Sequence, residues 1–434
     1  MEKVSNVMTE LIKCGVTAFH VTSYVKEQLM KSGFEELKYG ETWKVEQGKS
    51  YVITPYPSML VAFHIGTWCD TSSVRIATAH TDSPCLKLKS HPELKGRHYA
   101  QVNVEPYGGL IKTSWFDRPL GIAGKVVLRG KDVFHPDTKL IKSEQPVCII
   151  PSLAPHLCKN SDKKEMDVQK ELIPVMGFAP MLKEYGEDYM LQYICDSCKV
   201  TASEVLDYDL YLYNPEEPET IGIAEDMVCA PRIDNLASVA ALLEGITCLN
   251  REELKKDSNI MVAAMFDNEE IGSRSKQGAD SVMLPMLLDK LGRSLGIQEE
   301  EWRNRIAKGF LLSLDGAQGY HPNYTETNDP TNQVYLGEGI VIKTSATQRY
   351  LTDSEASAII KTLCDSRKIK WQQQVNRSGM PGGQTLGPIL AATLPLLGAD
   401  VGIPMLAMHS ARELAACDDY RALVELINIY YSFI

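Results

Sequence analysis

Ile260-Met261-Val262-Ala263-Ala264-Met265-Phe266 passes without a break into Asp267-Asn268-Glu269-Glu270-Ile271-Gly272-Ser273. Seven apolar residues with no polar alternation predict a strand covered on both faces, the pattern of the middle of a mostly parallel sheet. Three carboxylates then follow at its C-terminal end. In open α/β sheets that edge is where ligands bind, so acidic residues there carry more information than the same residues on a helix surface. Two adjacent glutamates leaving a strand point in different directions, which lets one hold a cation while the other handles a proton.

Other strand ends repeat the arrangement. Val74-Arg75-Ile76-Ala77-Thr78-Ala79 reads as a strand and runs into His80-Thr81-Asp82-Ser83-Pro84, where the proline stops further pairing. Gly309-Phe310-Leu311-Leu312-Ser313-Leu314 ends at Asp315, and Ile403-Pro404-Met405-Leu406-Ala407-Met408 ends at His409. Asp234 in Pro231-Arg232-Ile233-Asp234-Asn235 stands just ahead of the helical pattern from Leu236 to Ile246, the position of an N-cap or of a rigidly held ligand.

Two histidines, His80 and His409, and three carboxylates, Asp234, Glu270 and Asp315, are a donor mixture suited to zinc, with cobalt or manganese as alternatives. Five ligands exceed one tetrahedral zinc with an open position. They suit two divalent ions sharing a carboxylate, and the helix start makes Asp234 the expected bridge. Asp82, two residues beyond His80, is placed to accept from that imidazole and fix its tautomer.

The motifs His80-Thr81-Asp82-Ser83-Pro84, Pro231 to Leu236, Asp267 to Ser273, His321-Pro322-Asn323-Tyr324 and Met408-His409-Ser410-Ala411-Arg412-Glu413 resemble, in order and over nearly the whole chain, those of the M18 metallo-aminopeptidases. The resemblance implies one metal held by His80, Asp234 and Asp315, a second held by Asp234, Glu270 and His409, and Glu269 as general base. It implies a tetrahedral dodecamer built from dimers, with His156 in Pro151 to Leu157 reaching a neighbouring subunit's site. It also sets Lys343, in Leu336 to Lys343, opposite an acidic side chain at the substrate's first position, where a charge-assisted hydrogen bond would select Asp or Glu. Gln318 and Gln384 depart from the pattern, standing where relatives carry histidine and a small hydroxyl residue.

The rest of the chain bounds this reading. Its 434 residues exceed a single core, so two domains are expected. Residues 1–88 combine helical patterns with strands. From 89 to 225 short β-branched runs such as Lys125-Val126-Val127-Leu128 and Val147-Cys148-Ile149-Ile150 predict an inserted β-rich domain serving dimerisation or regulation. Residues 226–434 then complete a split α/β metallopeptidase domain with a mostly parallel central sheet flanked by helices. A net charge of −11 without a basic cluster argues against nucleic acid and acidic membrane surfaces. The most apolar window, Ile389 to Met408, is interrupted by Pro395, Gly398 and Asp400 and does not read as a span. No apolar signal segment occurs in Met1 to Asn6, and eleven cysteines, an odd number, fit free thiols, so the expected location is cytoplasmic. Cys195-Asp196-Ser197-Cys198 lacks a second pair for zinc and the setting of a redox motif.

The function expected is therefore hydrolysis of the N-terminal residue from peptides by water activated at two metals, with a preference for Asp or Glu. The alternatives are a neutral, leucine-type aminopeptidase, another small-amide hydrolase, or a catalytically silent oligomeric scaffold. Retention of Glu269 beside five ligand candidates speaks against the scaffold.

Overall fold

A strand that is apolar on both sides needs cover on both, and the computed structural model of the chain shows where that cover comes from. It describes residues 5–67, 72–94, 98–157, 166–248, 259–380 and 382–432. The chain divides into two compact units: Met1–Asp82 with Glu217–Met408 and Glu413–Ile434, and Ser83–Glu216 with His409–Arg412.

The first unit is built on nine strands: β1 (Glu35–Leu37), β2 (Ser50–Tyr56), β3 (Met59–Ile65), β4 (Val74–His80), β5 (Ile260–Phe266), β6 (Phe310–Leu314), β7 (Ile340–Thr344), β8 (Trp371–Val375) and β9 (Gly398–Gly402). Their order is β1-β2-β3-β5-β4-β6-β9-β7-β8. Five of the eight pairings are parallel, including the run β5-β4-β6-β9 at the centre. The other three are antiparallel. This is the mostly parallel α/β sheet expected from the buried apolar runs.

Alternation along each strand sends side chains to two separate cores. Ala77, Ala79, Met261, Ala263, Leu312 and Leu314 face one core, with Leu236, Leu243 and Leu426 from the helices. Ile76, Val262, Ala264 and Leu311 face the other, with Leu284, Leu287, Leu291 and Trp302. The helices that matter below are α1 (Asn6–Cys14), α2 (Ala18–Lys31), α3 (Ile233–Cys248), α4 (Met283–Ser294), α5 (Ser354–Arg367) and α6 (Cys417–Ser432). In α3 every residue from Leu236 to Leu243 is buried, which is why its sequence is apolar on all sides. In α4 the buried residues Met283, Leu284, Leu287, Leu288 and Leu291 form one stripe.

A smaller five-stranded sheet, Glu219–Ile221, Met227–Ala230, Glu413–Ala416, Pro404–Leu406 and Ala317–Gln318, belongs to the same unit. It corrects one strand. Ile403 to Met408 is not a single strand ending at His409: the chain leaves the central sheet at Gly402 and enters the small sheet at Pro404. Proline has no N–H for an interior ladder and sits at the first residue of the new strand, where none is needed. Ala407 and His409 then take left-handed φ values of 55° and 67°.

The second unit is the β-rich insert. Its sheet runs in the order 205–213, 85–93, 99–107, 175–178, 148–149, 119–132, 135–142, and pairing of 205–213 with 119–132 closes the first six on themselves. Closure removes exposed edges, and Leu86, Val102, Leu120, Ile122, Val126, Leu210 and Leu212 fill the interior. Gly124, at φ 154°, lies so close to the Asp209 carbonyl that a Cβ has no room. Cys195 and Cys198 are buried on the helix Tyr189–Cys198, and burial raises both thiols. Among the described residues no helix is long and apolar enough to cross a membrane.

Candidate metal centre

Register sets the site. Phe266, the last residue of β5, pairs with His80, the last of β4, and Thr81 N donates to the Phe266 carbonyl at 2.7 Å. The two strand exits are therefore neighbours. Asn268 then adopts a left-handed φ of 65° and Gly272 one of 93°, coiling Glu269–Ile271 into a 3-10 turn. The first two amides of that turn have no partner within it. Asp82 supplies one for each: Glu269 N donates to Oδ1 and Glu270 N to Oδ2, both at 3.2 Å. The Nδ1 of His80 lies 3.1 Å from the Asp82 carbonyl and 3.3 Å from its Oδ1. Asp82 thus braces the glutamate turn as well as facing the imidazole. Sequence reading gives only the second role, because the first depends on strand register.

From the other side come Asp234 and Asp315. Asp234 has φ −78° and ψ 107°, outside the helical region, at the entry to α3. Its amide donates to Glu413 Oε2 at 2.9 Å, and Asn235 Nδ2 donates to the Leu314 carbonyl at 2.9 Å, tying the helix entry to the end of β6 beside Asp315. Neither Glu413 nor Asn235 stands out in sequence, although both lie inside the quoted motifs. The Nε2 of His80 is 3.4 Å from Asp234 Oδ1, 3.4 Å from Asp315 Oδ1 and 3.9 Å from Glu269 Oε2. Lys343, on β7 and only 2% exposed, has Nζ 3.5 Å from Asp315 Oδ2 and 5.6 Å from the Tyr350 ring centroid.

Crowding of like charge follows. Burial, with Asp315, Asp82 and Asp234 nearby, pushes Glu269 up to about 8 despite the opposing pull of His80. Burial and Asp234 hold Glu270 well above the ordinary carboxylate range. Burial opposes charge on His80, but Asp234, Asp315 and Asp82 outweigh it and raise the imidazole well above 6.5. For Lys343 too the nearby carboxylates, Asp315 foremost, overcome burial and raise its pKa.

The donor set fits a divalent cation. In each of the groups His80-Asp234-Asp315 and His80-Glu269-Glu270 one ligand atom per residue lies within 4.8 Å of the others. Ligands about 2.0–2.1 Å from a tetrahedral zinc stand roughly 3.3–3.4 Å apart, close to the His80 separations above. A cation would offset the burial and the repulsion that together drive both glutamates up.

The remaining expected residues sit on other segments of the chain. His409 falls in the segment grouped with the insert, its Nδ1 3.1 Å from the Gly109 carbonyl. His156 is exposed in the 3-10 turn Pro155–Leu157 of that unit. His321 is partly exposed and accepts from Asn323 N at 3.2 Å. Gln318 and Gln384 are exposed.

A parallel-strand edge carrying a buried histidine and carboxylate cluster defines a metal-dependent hydrolase. The chain belongs to the M18 family of aminopeptidases: the family profile described as aminopeptidase I zinc metalloprotease (M18) matches residues 11–431. It is 40% identical over 433 residues to the probable M18 family aminopeptidase 2 of Clostridium novyi (strain NT), covering 99% of each chain. Against the corresponding protein of Pseudomonas savastanoi pv. phaseolicola (strain 1448A / Race 6) the identity is 35% over 435 residues, covering 99% of this chain and 98% of that one. A chain of the cryo-EM structure of the Ape4 and Nbr1 complex matches with a TM-score of 0.93 at 32% identity, covering 98% of this chain and 85% of that one. The S. cerevesiae mApe1 dodecamer matches at 0.84 and 25% identity, covering 98% and 95%. The chain is accordingly a metallo-aminopeptidase, a hydrolase of peptide bonds that depends on a divalent metal.

Proposed function

We propose that the chain removes N-terminal Asp or Glu from peptides at a site holding two divalent ions, zinc first among them. One is held by His80, Asp234 and Asp315, the other by Asp234, Glu270 and His409. The observation that carries the reading is the buried contact of His80 Nε2 with Asp234 and Asp315 at 3.4 Å each, with Glu269 alongside. Both histidines turn Nδ1 toward a backbone carbonyl, Asp82 for His80 and Gly109 for His409. Donation of that N–H fixes the tautomer with the lone pair on Nε2, the usual support of a ligating histidine.

Divalent ions bound here would supply Lewis acidity, lowering the pKa of a water toward roughly 7 and polarising the scissile carbonyl. Glu269 takes the attacking water's proton on a carboxylate oxygen and passes it to the leaving amine nitrogen. Asp82 keeps Glu269 in place through the amide it accepts. Lys343 is the cation beside the cluster, so an acidic side chain at the substrate's first position would find its charge there. His156 of a neighbouring subunit donates to the developing oxyanion. The insert serves as the dimerisation domain of a dodecamer. Its exposed apolar residues Val133, Phe134 and Met181 support self-association, as does likeness to a chain solved as a dodecamer.

Release of the first residue from Asp-, Glu-, Leu- and Lys-peptides, before and after chelation and with zinc, cobalt or manganese restored, tests the reading. Metal-dependent release of Asp and Glu is expected. Lys343→Met should cut kcat/KM for acidic peptides by about tenfold or more while leaving Leu-peptides less affected. Faster release of Leu by the unaltered chain would discard the acidic preference and keep the chemistry.

A further inference from the structure

The central sheet has a second carboxyl edge. β4, β5 and β6 end at the metal cluster, but β7 runs antiparallel to β9, which is parallel to β6. β7 and its parallel partner β8 therefore end at the opposite edge, and α5, which joins them, begins there. Strand ends and a helix N-terminus brought to one crevice are where α/β units hold ligands. A cavity of about 420 Å³ opens at this point, lined by Thr344, Ser345, Asp353, Ser357, Lys361 and Gln373 among others.

The lining offers polar partners to an occupant. Ser357 is 5% exposed, and its hydroxyl is buried with no hydrogen-bond partner. Buried hydroxyls are normally paired, so one lining a cavity without a partner points to a group that arrives from outside. Lys361, one turn further along the same face of α5, donates to Gln373 Oε1 at 3.1 Å and lies 4.9 Å from the Trp371 ring centroid, which holds its ammonium in position. Asp353 caps α5 with one carboxylate oxygen, accepting Ala356 N at 2.8 Å.

The lining residues include one cation, Lys361, and one anion, Asp353, with hydroxyl and amide groups between. An anionic ligand would meet Asp353 unfavourably and a cationic one Lys361, whereas a zwitterion complements both. We propose that this crevice binds a free α-amino acid, its carboxylate on Lys361 and Ser357 and its ammonium on Asp353. Such a molecule is what an aminopeptidase releases, so the crevice is a second, non-catalytic site for the chain's own product. It is linked to the metal centre along β7, where Thr344 of the lining follows Lys343. The inference rests on aminopeptidase activity and not on which residue is preferred.

The test is equilibrium dialysis of the zinc-loaded full chain with labelled L-leucine and L-aspartate, comparing Lys361→Met and Ser357→Ala with the unaltered chain. A binding event weakened at least tenfold in Lys361→Met and several-fold in Ser357→Ala, with peptide hydrolysis retained in both, is expected. N-acetyl-L-leucine, L-leucinamide and inorganic phosphate, each lacking one of the two charges, should not displace it. Identical isotherms for the unaltered chain and Lys361→Met would overturn the proposal, as would displacement by phosphate or by either blocked leucine. Should Lys361→Met lose hydrolysis as well, Ser357→Ala decides, and unchanged affinity there overturns it.

Discussion

Glu269 and Glu270 are neighbours in sequence for which different tasks are proposed, base and ligand. Asp82 accepts the amide of each, and the Glu269 carboxylate lies 3.9 Å from His80 Nε2. Glu269→Gln keeps the shape and removes the proton acceptor. Its kcat should fall by about 10²–10⁴, the usual contribution of a positioned general base, with metal content unchanged. Metal analysis beside steady-state kinetics checks this, and a variant that lost its metal would make Glu269 a ligand. Glu270→Gln should do the reverse and lower metal content first. At this scale the sequence was informative wherever a residue followed a strand, since the strand itself placed it at the sheet's carboxyl edge. Asp82's hold on the glutamate turn and Lys343's burial against Asp315 were not legible, because both depend on which strands lie side by side.

Among the elements, α6 and the loop before β7 form a coupled pair. Asp419, in the first turn of α6, is fully buried and accepts Gly337 N and Gly339 N at 2.7 Å each, fixing the loop that leads into the strand of Lys343. Burial pushes its pKa up to about 6 against the pull of those amides. The folded value thus lies above the unfolded one, near 3.9, and between the two pH values the folded chain holds a proton the unfolded chain has lost. Stability from this group is present below about pH 4 and is lost as pH rises toward 6, by up to about 3 kcal/mol. Asp419→Asn should flatten the pH dependence of stability between about 4 and 6, measured by urea unfolding at fixed salt. Equal slopes for variant and parent would assign the titration to another group. Strands 74–79, 260–266 and 309–314 and the helix after Asp234 could be read from apolar runs and caps. The run at 403–408 misled because an apolar segment looks alike whether it continues one sheet or crosses to a second. Only Pro404 hinted at the change.

For the whole molecule, the role proposed for His156 would make assembly decide whether each active site is complete. His156 sits exposed on the insert between Leu153 and Leu157, which are 62% and 69% exposed. Apolar side chains presented in this way on an isolated chain ask for cover, and a symmetric interface would carry the histidine between them into a partner. Light scattering should then give a mass near twelve times 48.3 kDa, roughly 580 kDa. The decisive experiment mixes two inactive chains. His156→Ala retains Glu269 but lacks the donor, and Glu269→Gln retains the donor but lacks the base. If the histidine acts across an interface, each mixed pair contains one complete site, so co-expression at equal amounts should restore about a quarter of the parent activity. If His156 acts within its own chain, or not at all, no mixed pair is complete and the activity stays at the average of the two variants. The same measurement separates an interfacial donor from a residue needed only for assembly. In the latter case His156→Ala would fail to reach the parent mass, and mixing would restore the mass without supplying a donor.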